Sequence, residues 1–84
     1  MVYELIYSPQ ALKQLEKLEN TLQERILISL ERLRTRPQSC DIKKLVGMEG
    51  YRMRVGDYRI IFDIQTEKLL ILVLQIGHRK NIYR

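Results

Sequence analysis

A chain of 84 residues, 45% hydrophobic and 30% charged, has the apolar content for one packed core and no length for a second; this excludes both a multidomain architecture and a disordered chain. The net charge is +5, no apolar run approaches the ~20 residues that span a bilayer, and the N-terminus has no basic-then-apolar leader. The expectation is a single soluble, cytoplasmic domain over residues 1–84.

One cysteine, Cys40, and one histidine, His78, give no basis for an intramolecular disulfide or a Cys/His metal site, and no cofactor is expected. The charge is unevenly placed. Residues 1–42 carry six basic and six acidic side chains. Residues 43–84 carry nine basic ones (Lys43, Lys44, Arg52, Arg54, Arg59, Lys68, Arg79, Lys80, Arg84) against four acidic, so the whole excess, 9 − 4 = 5, lies there. Such asymmetry points to an anionic partner for one side of the molecule, nucleic acid first and an acidic protein second.

In chain order, Val2–Tyr7 has the β-branched and aromatic content of a strand. Ser8-Pro9 supplies an N-cap and a first-turn proline, and Ala11, Leu12, Leu15 and Leu18 follow at helical spacing. Asn20-Thr21 is read as a break. Leu22, Ile26, Leu30 and Leu33 then form a second helical stripe, widened by Leu27, ending near Arg34–Arg36 because Pro37 cannot continue the ladder. The two helices are expected to form a hairpin whose leucines cover one face of a sheet. Residues 37–44 read as a polar linker, with a strand beginning at Lys44-Leu45-Val46 before the bend from Gly47 to Gly50.

The stretch Gly50–Phe62 reads as two strands joined by a two-residue Gly56-Asp57 loop. That loop sets Val55 opposite Tyr58, Arg54 opposite Arg59, Met53 opposite Ile60 and Arg52 opposite Ile61. Alternation then puts Tyr51, Met53, Val55, Tyr58, Ile60 and Phe62 on one face and Arg52, Arg54 and Arg59 on the other. After a polar turn at Gln65–Lys68, the apolar run Leu69–Ile76 predicts a central strand covered on both faces for much of its length. A basic tail, Gly77–Arg84, ends the chain. The predicted fold class is α+β: two layers, with an N-terminal strand, a helical hairpin and three to four antiparallel strands, helices on one face.

Like charges directly across a hairpin cost a few tenths to about 1 kcal/mol per pair. Folding gains nothing from Arg54 against Arg59 with Arg52 beside them. A polyanion laid across that face gains from guanidinium forks that bind phosphate oxygens two at a time.

Leu45-Val46-Gly47, then Gly50-Tyr51-Arg52-Met53-Arg54-Val55-Gly56-Asp57-Tyr58-Arg59-Ile60-Ile61-Phe62, then Gly77-His78-Arg79-Lys80-Asn81-Ile82-Tyr83 resemble the successive blocks of the RelE/ParE toxin superfamily, closer to its RelE branch. The resemblance covers essentially the whole chain. It implies a toxin of a type II toxin–antitoxin pair that inhibits translation by cutting mRNA in the ribosomal A site, in contact with 16S rRNA and without metal or cofactor. The 2′-hydroxyl attacks the adjacent phosphorus, leaving a cyclic phosphate and a 5′-hydroxyl. Family active-site positions carry over onto Arg52, Arg54, Arg59, Arg79 and Tyr83. Lys43, Lys44, Lys80 and Arg84, with Arg52 and Arg54, are candidate RNA-binding residues.

In that reading Arg59 with Arg54 clamps the phosphate and Arg79 serves the leaving-group side. Tyr83 either stacks on a base or orients the 2′-hydroxyl; a ring capping the core edge is the alternative. Some RelE proteins carry lysines where this chain has Arg52 and Arg54, and one of those lysines is proposed as general base. A guanidinium stays protonated and is a poor substitute. His78 is one candidate replacement, Glu49 a second, and the third reading dispenses with a base and relies on electrostatics and ribosome-imposed geometry. Two rivals share the residues: a ParE-like toxin that poisons gyrase, and a docking module without catalysis. The expected protein partner is a small acidic antitoxin that masks the basic face or displaces the tail.

Overall fold

The computed structural model describes residues 2–37, 41–78 and 80. Its elements run β1 (Glu4–Tyr7), α1 (Pro9–Glu16), α2 (Asn20–Thr35), β2 (Ile42–Lys44), β3 (Tyr51–Val55), β4 (Tyr58–Gln65) and β5 (Leu70–His78). The five strands form one sheet in the order β1-β5-β4-β3-β2. The last four make an antiparallel meander, while β1 lies parallel to β5. Both helices pack on one face, as expected from their stripes.

Ser8 starts α1 by accepting the Ala11 N–H on its Oγ at 3.0 Å, with Pro9 as the first helical residue. The break between helices falls at Lys17–Glu19, not at Asn20-Thr21, which instead open α2. Short polar residues suit a first turn, where backbone N–H groups still lack intrahelical partners. Gln23 Nε2 then donates to the Leu15 carbonyl at 2.8 Å, closing the end of α1 against α2.

The core joins Ala11, Leu15, Ile26, Leu30 and Leu33 from the helices to Met53, Val55, Ile60, Phe62, Ile71, Val73 and Ile76 from the sheet. Leu27 does not widen the buried stripe; it is 41% exposed, while Ile26, Leu30 and Leu33 are fully buried.

The hairpin pairs as predicted, with Val55 on Tyr58, Arg54 on Arg59, Met53 on Ile60 and Arg52 on Ile61. Gly56 has φ +60 and Asp57 is not in the left-handed region, the signature of a type II′ turn with glycine first. Two expectations need correction. The strand before the hairpin spans Ile42–Lys44 and ends where it was expected to begin. Leu45–Gly50 is a bend, closed by a Leu45 N–H to Gly50 C=O bond of 3.0 Å. Gly50 has φ +116, and a Cβ there would stand 3.1 Å from the Phe62 carbonyl oxygen, so the chain turns tightly and lays Leu45 on Ile61.

Likewise β5 is not covered on both faces. Ile71, Val73 and Ile76 are buried under the helices, but Leu72 is half-buried and Leu74 is 38% exposed. Among the described residues, no helix covers the other face, where the Leu45–Gly50 bend packs on Ile61. Part of the apolar run is explained by a bulge: Ile61 pairs with Gln75 and Phe62 with Val73, leaving Leu74 as the extra residue. Among the described residues, no helix is long and apolar enough to cross a membrane.

Candidate functional site

Strand alternation carries Arg52, Arg54 and Arg59 onto the sheet face away from the helices. The register arranges them in rows. One runs Lys43, Arg52, Ile61, Gln75 across β2 to β5; the adjacent one runs Arg54, Arg59, Gly77. Four cations thus occupy neighbouring positions on three strands. Arg54 is exposed, Arg52 and Arg59 are half-buried, and the Arg59 Nε is shielded from solvent.

Two hollows frame this face. One, of about 250 Å³, is lined by Lys44, Leu45, Val46, Met48, Arg52 and Arg59. The other, of about 80 Å³, is lined by Asp41, Lys43, Arg52 and Arg54. Arg52 belongs to both. The arrangement suits a phosphodiester: two arginines line each hollow, Arg52 with Arg59 and Arg52 with Arg54, and Gly77, opposite Arg59, adds no side chain to that row. A larger, mainly apolar groove of about 590 Å³ adjoins it, with Leu45 and Met48 as shared wall.

The candidate acid–base residues lie elsewhere. His78 pairs with Tyr58, not with Arg59, so its side chain is on the helix-side face; its ring meets Tyr58 edge-on at 5.5 Å, and its Nδ1 accepts the Lys80 N–H at 3.3 Å. The expectation that His78 serves the arginine face does not match this placement, and the physical reason is the bulge. One extra residue reverses which of the residues after Leu74 face the arginines. Glu49 is exposed on the bend and lines neither hollow. Lys80 is exposed. Arg79, Tyr83 and Arg84, with Cys40, fall outside the described residues.

Sequence reasoning placed a bend from Gly47 to Gly50 but missed that it begins at Leu45 and sets apolar side chains at the site. Val46 and Met48 are 96% and 62% exposed, apolar side chains beside the guanidinium hollow. Gly47 and Gly50, both at positive φ, carry the bend as expected, but Leu45 and Val46 belong to it rather than to a strand.

Residues 5–83 match the family model of the ParE toxin of the type II toxin–antitoxin system parDE. The chain belongs to this toxin family, within the RelE/ParE superfamily. The toxin is 29% identical over 84 residues to the mRNA interferase toxin RelE of Escherichia coli (strain K12), covering 96% of this chain and 87% of that protein. Among solved structures, the toxin superposes on the archaeal RelE–RelB complex from Pyrococcus horikoshii OT3 with a TM-score of 0.81 at 29% identity, over 96% of this chain and 99% of that one. The isolated E. coli RelE toxin superposes with a TM-score of 0.76 at 27% identity, over 90% and 83% of the two chains. The expected superfamily and the α+β fold are therefore shown.

Proposed function

We propose that this toxin is a ribosome-dependent mRNA endoribonuclease that inhibits translation in the cytoplasm. The observation that carries the reading is the gathering of Lys43, Arg52, Arg54 and Arg59 on the sheet face away from the helices. The similarity to proteins named mRNA interferase supports it.

In this reading the RNA phosphodiester sits at Arg52, Arg54 and Arg59. The 2′-oxygen forms a bond to phosphorus, the bond from phosphorus to the 5′-oxygen breaks, the 2′-hydroxyl proton is lost and the departing oxygen gains one. Charge develops on the non-bridging oxygens, and guanidinium groups already in place stabilise it more in the transition state than in the ground state. No metal is required for that chemistry. With His78 turned toward Tyr58 and guanidinium groups unable to accept a proton, the reading that relies on electrostatics and ribosome-imposed geometry is favoured. Arg79 is assigned to the leaving group and Tyr83 to the base or the 2′-hydroxyl, with Lys44, Lys80 and Arg84 adding phosphate contacts.

Several structures of this fold are toxin–antitoxin complexes of RelE with RelB, and a cognate antitoxin, acidic where it meets the arginine face, completes the proposal. Primer extension on ribosome-bound mRNA tests it. Codon-registered cuts by the wild type that vanish in Arg59→Ala and Arg79→Ala are the expected result. Intact mRNA with gyrase-linked, cleaved DNA would overturn it in favour of a ParE-like poison, the reading closer to the name of the matched family. RNA binding with neither product would leave a docking module.

A further inference from the structure

Strand β1 ends at Tyr7, opposite Val73, while β5 continues to His78. Among the described residues, the edge of β5 that faced β1 has no strand beside it beyond Val73, and backbone groups there need other partners. Helix α1 supplies them. The Ser8 N–H donates to the Val73 carbonyl at 2.8 Å, and the Ser8 Oγ donates to the Leu74 carbonyl at 2.9 Å while capping its own helix. Two turns on, Gln14 Oε1 accepts the Ile76 N–H at 2.7 Å. These three bonds bracket the bulge residue Leu74 and hold the segment after it.

The bulge decides what meets the arginines. With it, Gln75 stands beside Ile61, Gly77 stands opposite Arg59, and Ile76 is buried in the core. Without it, every later residue would change face. Ile76 would lie opposite Arg59, placing a branched side chain where Gly77 now has none.

We infer that Gln14 is a positioning residue: by accepting the Ile76 N–H it locks the bulged register of β5 and so keeps Gly77, rather than Ile76, opposite Arg59. Its kinetic consequence rests on the nuclease reading above; its structural consequence does not. Gln14→Met removes the acceptor while keeping side-chain length, and Gln14→Glu keeps an acceptor oxygen.

The purified full-length toxin and both variants are compared by amide exchange at Ile76, by the Arg59 Nε–Hε resonance and by cleavage of mRNA on programmed ribosomes. In Gln14→Met, Ile76 should exchange about tenfold faster, as for one lost hydrogen bond, and the Arg59 resonance should move. The kcat should fall about ten- to a hundredfold with KM little changed, as for a misplaced reacting group. Melting should fall by no more than the several °C that one hydrogen bond accounts for in a domain of this size, and Gln14→Glu should restore all of these, which a loss of packing alone would not allow. An Ile76 amide that stays protected in Gln14→Met, or one that opens while Arg59 and kcat stay unchanged, overturns the inference. If the wild type cuts no mRNA, the nuclease reading fails, and the exchange and resonance data alone decide the positioning role.

Discussion

Replacing Arg54 with Gln should make the toxin more stable and less active. Arg54 and Arg59 are directly opposed on β3 and β4, and residues so placed hold their Cβ atoms about 5 Å apart. Two unit charges at that separation in water repel by about 0.8 kcal/mol. Screening at 0.01 M salt, with a Debye length near 30 Å, leaves about 0.7 kcal/mol; at 0.15 M about 0.4 and at 1 M about 0.2 kcal/mol remain. These are ceilings, since exposed guanidinium ends can splay apart. Gln keeps the unbranched stem and a polar, uncharged end, and at an exposed position the charge is the main thing removed. For a domain of this size the gain corresponds to a melting temperature about 2–3 °C higher at 0.15 M salt, rising at low salt and shrinking to about 1 °C or less at 1 M. Thermal unfolding of wild type and Arg54→Gln across that salt series is the assay, run beside ribosomal mRNA cleavage, where the variant should be slower. A variant that melts below wild type, or gains equally at every salt, would refute the claim that the arginine face is held at a cost to folding.

Two further outcomes follow from local geometry. Gly56→Ala places an L-residue at φ +60 and should cost about 1–2 kcal/mol in chemical denaturation; the neighbouring Arg25 guanidinium, 3.4 Å from the new Cβ, is an ordinary contact, so backbone strain is the cause. Tyr7 is half-buried in β1, and burial, then the Glu31 carboxylate, push its phenol pKa above 10.0, with Arg34 partly opposing. Between the unfolded and folded values the unfolded chain has lost the proton and the native state keeps it. The contribution is thus complete below pH 10.0 and lost as pH rises through the folded value. Wild type should lose stability faster than Tyr7→Phe above that pH in urea titrations.

The resemblance that pointed to the superfamily came from local blocks, and local physics made much of the rest legible as well. A two-residue loop with glycine first admits one register, so the Arg54–Arg59 pairing and the facing of Arg52 could be written down from Gly50–Phe62 alone. The helices were visible because leucines at helical spacing need a surface to cover, although the boundary between α1 and α2 slipped by about one turn, where capping residues resemble turn residues.

What the chain order concealed were features made by partners far apart in sequence. The parallel pairing of β1 with β5 joins the two ends of the chain. The bend at Leu45–Gly50 is closed onto Ile61 and the Phe62 carbonyl by tertiary packing rather than by turn chemistry alone. Above all, the facing of the last strand could not be read. Alternation predicts faces only while parity is unbroken, and the bulge at Leu74 breaks it at a point held by Ser8 and Gln14, 66 and 62 residues away along the chain. The sequence therefore determined which strands carry the arginines and that they share a face. Tertiary structure decided what stands opposite them, placing Gly77 beside Arg59 and turning His78 away, because an edge beyond the reach of β1 must satisfy its hydrogen bonds with whatever α1 provides.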